Sequence, residues 1–170
     1  MQFTPNQGTV YWITGLSGAG KTTVGTLLYE KIHAIKNNVV ILDGDTLREV
    51  FGNDLGYTRE DRFKSAGRNA CICRMLSLQG IDVVCCTISM YDEIRNWNRK
   101  SIKNYRDIYL KVPEEILKTR NQKGLYESSK DELVGFGVKM EEPNNPDMVI
   151  VNDGRLSPEK IVERIWEEFG

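Results

Sequence analysis

The sequence predicts an α/β fold, a parallel sheet flanked by helices. Short β-branched, apolar runs alternate with longer stretches whose apolar residues recur at helical spacing. One run, "IDVVCCTIS" (Ile81–Ser89), is almost continuously apolar, as a strand covered on both faces is. A glycine-rich stretch, "GLSGAGKTT" (Gly15–Thr23), joins the first strand-like run to the first helical one. At 170 residues the chain is expected to form a single domain around one core.

Each element has its own signal. "TVYWIT" (Thr9–Thr14) is β-branched and aromatic and reads as strand one. Val24, Leu27, Leu28, Ile32 and Ile35 then mark one face of a helix. "NVVILDGD" (Asn38–Asp45) is strand two and ends in two carboxylates. Thr58 and Asp61 form a helix N-cap and its partner, opening a helix that carries Ala66, Ala70, Cys73 and Leu76 on one face and stops near Gly80. Ile81–Ser89 is strand three, and a polar helix follows around Tyr91–Lys103. "RDIYLKV" (Arg106–Val112) is strand four, with Pro113 opening a further helix. "DMVIVN" (Asp147–Asn152) is strand five. The chain closes on a helix with Ser157 as N-cap, Pro158 at the first helical position, and Ile161, Ile165 and Phe169 facing inward. Between the last two strands, Tyr126–Pro146 is polar, contains glycine and is long for a connection, so a lid spanning about 123–146 is expected; a solvated loop is the plainer alternative.

Composition excludes several classes. Net charge is -1, from 23 basic and 24 acidic side chains, so no polybasic surface for nucleic acid or membrane is expected. The start, "MQFTPNQ", lacks the basic and apolar stretches of a signal peptide, and no apolar run is long enough to span a bilayer. A cytoplasmic protein is expected. Cys85 and Cys86 are neighbours on a strand and point to opposite faces, and His33 is the only histidine, which argues against zinc. The four cysteines (Cys71, Cys73, Cys85, Cys86) are expected to be buried, reduced thiols.

Gly15 through Thr22 fits G-x-x-x-x-G-K-[ST] with a strand before it and a helix after it. Glycines let the backbone wrap phosphate oxygens with N–H groups, and the helix adds its positive end. This is the phosphate loop of a P-loop nucleoside triphosphatase-type fold. Gly15, Ser17, Gly18, Ala19, Gly20, Lys21, Thr22 and Thr23 would hold ATP, Lys21 reaching the β- and γ-phosphates and Thr22 holding Mg²⁺. The N-K-x-D motif that reads guanine does not occur, and strand three ends without the acid that ATP-driven machines carry there. The acids stand on strand two instead, and a small-molecule kinase with a separate acceptor pocket fits best.

Phosphoryl transfer needs an acceptor hydroxyl held in line with the γ-phosphate and neutralised charge around it. Asp45 is the candidate base or hydroxyl-orienting group, and Asp43 the candidate metal or water ligand. Asp45 also precedes "TLREVF" and could cap that helix. Arg48, Arg62 and Arg68 offer forks of donors for an anionic acceptor, Arg62 the strongest of them; on a helix each is otherwise an ordinary solvated residue.

"GLSGAGKTT", "LDGDTLR", "DLGYTREDR", "TIS" and "KGLY" resemble, in order and spacing, the motifs of the adenylylsulfate kinase family, from about Thr9 to Tyr126. The resemblance implies a P-loop kinase, usually a homodimer. It moves the γ-phosphate of ATP to the ribose 3′-hydroxyl of a nucleotide whose 5′-phosphate carries a mixed anhydride. It also implies roles: Asp45 near the 3′-hydroxyl, Arg48 and Arg62 on the acceptor's phosphate, and Tyr57 stacked on its base. Ile88 and Ser89 would line the pocket, Lys123, Gly124 and Leu125 would close over the transferring groups, and Arg120 would lie near the ATP base. Departures from the family pattern fall on the acceptor side. Ser65 replaces an asparagine, Glu127 and Ser128 replace a basic pair, Met90 replaces a proline, and the lid is shortened to "FGVKMEEP", leaving Phe136 as a second stacking wall. The same chemistry on a different nucleotide follows, and the resemblance favours the relatives that phosphorylate cytidine diphosphoramidate in making capsule decorations. True adenylylsulfate kinase activity, a kinase for another small metabolite and a non-catalytic nucleotide-binding module are the alternatives.

Overall fold

A computed structural model describes residues 6–119 and 141–170. Five parallel strands form one sheet in the order β2-β3-β1-β4-β5. They are β1 (Val10–Thr14), β2 (Val39–Asp43), β3 (Asp82–Thr87), β4 (Tyr105–Lys111) and β5 (Met148–Val151). Every residue of β1 and of β3 is buried, which is why their sequences run apolar without alternation.

The described helices are α1 (Lys21–His33), α2 (Gly44–Val50), α3 (Arg59–Ser77), α4 (Asp92–Ser101), α5 (Glu114–Thr119) and α6 (Pro158–Phe169). Val24, Leu28 and Ile32 of α1 pack with Ile161 and Ile165 of α6 over one face of the sheet. Ala66, Ala70 and Cys73 of α3 pack with Ile94 of α4 over the other. Cys86 belongs to the first core and Cys85 to the second, as strand alternation requires. β1 and β3 are neighbours, yet the chain leaves β1 for α1 on one face and β3 for α4 on the other. A crevice opens at the carboxyl ends of such a strand pair, and it is where open α/β sheets bind ligands.

The caps follow the sequence at two helices and depart from it at a third. Thr58 accepts from the Asp61 backbone N–H at 3.1 Å and donates to its carboxylate at 2.8 Å. Ser157 caps α6, with Pro158 in its first turn. The α2 cap is Asp43, not Asp45. The β2–β3 ladder ends at the Asp43–Cys86 pair, so the chain turns helical one residue later, and the Asp43 carboxylate accepts from the Asp45 N–H at 2.9 Å. Strand two therefore ends in one carboxylate, and Asp45 lies in the first turn of α2. The cysteines also depart in part: all four are free, but Cys71 is exposed because it lies on the outward face of α3, two residues from buried Cys73. Among the described residues no helix is long and apolar enough to cross a membrane.

Candidate active site

The phosphate loop leaves β1 and closes on the first turn of α1. Gly15 is pressed against the sheet: a Cβ there would lie 2.6 Å from the Leu110 carbonyl oxygen. Gly20 caps α1 at φ 87°, a left-handed conformation that glycine takes without strain. Ala19 is buried and its N–H donates to the Leu16 carbonyl at 3.1 Å. The Lys21 ammonium donates to the same carbonyl at 2.7 Å, so the cation sits over the loop it is meant to serve. Behind the loop, the Asn152 side chain donates to the Ala19 carbonyl at 2.9 Å.

The second carboxylate-bearing segment meets this loop directly. Thr22 Oγ1 donates to Asp43 Oδ2 at 2.8 Å, while Asp43 Oδ1 holds the N–H of Asp45. One carboxylate thus ties the first turn of α1 to the first turn of α2. β3 runs between them, and the Cys86 thiol donates to the Lys21 carbonyl at 3.3 Å. Burial pushes the Cys86 thiol well above its ordinary range, so it stays a neutral S–H donor. Asp45 is exposed in the first turn of α2.

Mg²⁺ prefers hard oxygen donors and keeps most of its shell for water and phosphate. Thr22 Oγ1 and Asp43, 2.8 Å apart beside the loop, are such donors. Among the described residues no three His, Cys, Asp or Glu side chains converge.

The acceptor-side residues gather around Tyr57. Its ring is exposed, with the Arg48 guanidinium 4.4 Å and the Arg62 guanidinium 5.2 Å from its centroid. Arg48 also donates to the Leu55 carbonyl and, at 2.8 Å, to the Gly56 carbonyl, and Arg62 Nε donates to the Tyr57 carbonyl at 2.9 Å. Both arginines therefore shape the loop they flank. Arg68 stands apart, in a two-pronged pair with Asp54 at 2.8 Å. Ser65 is half-buried on α3, Ile88 is half-buried after β3, and Ser89 is buried with its hydroxyl unpartnered among the described residues. Arg120, Lys123, Gly124, Leu125, Glu127, Ser128 and Phe136 lie outside the described residues, as does most of the expected lid.

Two polar anchors escaped the sequence reading. Asn152 follows β5 and reaches the phosphate loop across 133 positions of sequence. Glu141 accepts from Arg59 at 3.1 Å and from the Asp92 N–H at 2.8 Å, and its carbonyl accepts from buried Arg95 at 3.2 Å. It fastens the start of α3 to the start of α4. An Asn after a strand and a Glu in a polar run are the only local signals, and neither names a partner.

A parallel sheet with a phosphate loop at its switch point, and a second carboxylate strand bonded to that loop, defines a P-loop nucleotide-dependent kinase. The adenylylsulphate kinase family profile matches residues 7–151, and the chain belongs to that family. It is an ATP-dependent kinase of the kind that works with Mg²⁺. The cytidine diphosphoramidate kinase of Campylobacter jejuni subsp. jejuni serotype O:2 is 41% identical over 168 residues, covering 96% of this chain and 98% of that one. The adenylyl-sulfate kinase of Halothermothrix orenii is 34% identical over 169 residues, covering 95% and 91%. The Mycobacterium tuberculosis APS kinase CysC, solved in complex with AMPPNP and APS, superposes with a TM-score of 0.85 at 27% identity, covering 96% and 98%.

Proposed function

We propose that this kinase phosphorylates the ribose 3′-hydroxyl of a nucleotide bearing a 5′ mixed anhydride, and that its acceptor is cytidine diphosphoramidate. The observation that carries the reading is the Thr22–Asp43–Asp45 chain of hydrogen bonds, which links the phosphate loop through the Asp43 carboxylate to the backbone of Asp45 at the start of α2. In it, Asp45 orients the acceptor hydroxyl and takes its proton, while Lys21 and the loop N–H groups neutralise the transferring phosphoryl group. Bound Mg²⁺ would be held by Thr22 and Asp43 and would supply further charge neutralisation. Arg48 and Arg62 hold the acceptor's phosphates, Tyr57 stacks on its base, and Ser65, Ile88 and Ser89 line the pocket.

The choice of cytidine diphosphoramidate is supported by the full-length relative of that name and by the acceptor-side departures at Ser65 and Met90. The second reading, adenylylsulfate as acceptor, is supported by the family profile. The same proposal places the enzyme in the cytoplasm, where ATP is made, as a single-domain protein acting as a homodimer. The test is ADP release and ³¹P detection of the 3′-phosphate with Mg·ATP and each acceptor in turn. Turnover with cytidine diphosphoramidate is expected. Turnover with adenylylsulfate alone selects the second reading, and turnover with neither overturns both. Asp45→Asn should lower kcat by about 100-fold or more while ATP affinity holds within about threefold. Unchanged turnover in that variant would remove Asp45 from the chemistry.

A further inference from the structure

We propose that Asn152 is a positioning residue of the nucleotide site: by holding the Ala19 carbonyl it aims the Gly20 N–H into the phosphate loop. A peptide unit is planar and trans, so its C=O and N–H point in opposite directions. The Ala19 carbonyl is turned outward onto Asn152 Nδ2 at 2.9 Å. The N–H of the same peptide unit, that of Gly20, is thereby turned toward the inner side of the loop, where phosphate oxygens sit. Without that donor the buried Ala19 carbonyl would lose this partner, which favours turning the peptide unit. Asn152 is built for this task. Its own N–H donates to the Lys111 carbonyl at 2.8 Å, which mounts it on the β4–β5 ladder, and its side chain is almost fully buried. The fit is close: a Cβ on Gly20 would come within 3.0 Å of Asn152 Nδ2. Asn152 need not touch ATP. It acts through the loop, from a strand that contributes no residue to the motif itself.

The test uses the affinity of the full chain for Mg·ATP without acceptor, by titration calorimetry, so it does not depend on which acceptor the enzyme uses. Asn152→Ala should weaken ATP binding by about tenfold, the effect of one misdirected phosphate donor, with a cooperative thermal melt retained. Asn152→Asp separates donor from shape. At about pH 8 its ionised carboxylate faces the Ala19 carbonyl as a second acceptor, and binding should fall below that of Asn152→Ala. At about pH 5.5 the carboxyl protonates in part and regains a donor, and binding relative to wild type at the same pH should rise above that of Asn152→Ala. The proposal is overturned if Asn152→Ala binds ATP within about twofold of wild type. It is equally overturned if Asn152→Asp shows no recovery on acidification.

Discussion

Gly25 lies inside α1, where alanine would stabilise an isolated helix by about 1 kcal/mol. The tertiary structure opposes that gain. A Cβ on Gly25 would stand 2.1 Å from Cys86 Sγ, against ordinary contacts of 3.5 Å to Val84 Cγ1 and 3.8 Å to Ile13 Cδ1. The sulfur has to move, and it is buried and engaged with the Lys21 carbonyl. With a 2.1 Å approach to a buried sulfur, the overpacking cost lies toward the upper end of its usual range, about 2–3 kcal/mol, so Gly25→Ala should be net destabilising by about 1–2 kcal/mol after the helix gain is subtracted. Cys86→Ala alone opens a small void worth about 1 kcal/mol. Together, the new methyl group occupies the space the sulfur vacates, and the double variant should be more stable than the sum of the single changes by about 1–2 kcal/mol. Urea unfolding of the four proteins measures the cycle. ATP affinity should fall in Gly25→Ala and recover in the double variant, because Lys21 and Thr22 ride on the displaced turn. A neutral or stabilising Gly25→Ala, or an additive cycle, refutes the reasoning.

Three further outcomes follow from other contacts. Burial raises the Asp107 carboxyl to about 6, against the pull of Arg99 at 3.2 Å, so its ionised form costs stability above that pH and the cost is relieved as pH falls from 6 toward 4. Wild type should gain up to about 3 kcal/mol over that window relative to Asp107→Asn; parallel stability curves would refute this. Arg48→Ala loses both bonds that Nη2 donates to the Leu55 and Gly56 carbonyls and the stacking on Tyr57, and should cost about 1–2 kcal/mol in denaturant melts besides raising the acceptor KM; an unchanged melt would confine Arg48 to ligand binding. Asp43→Asn should raise the Mg²⁺ concentration for half-maximal ADP release by about tenfold, and an unchanged requirement would place the metal elsewhere.

Much of this protein was legible from neighbours in the chain. The loop from Gly15 to Thr22, the caps at Thr58 and Ser157, and the opposed faces of Cys85 and Cys86 are set by spacing, side-chain chemistry and the two-residue repeat of a strand. The choice between Asp43 and Asp45 as cap was not legible, since both suit the role locally. It was decided by where the ladder between β2 and β3 stops. The lateral strand order, the seating of Gly25 on Cys86, the Arg48 clasp of the Tyr57 loop and the reach of Asn152 to Ala19 likewise belong to the tertiary structure alone. Local pattern reports which face of an element seeks burial, because that depends on geometry repeating every few residues. Which partner satisfies a buried carbonyl, or lies beneath a glycine, depends on elements brought together by packing, and sequence distance carries no record of it.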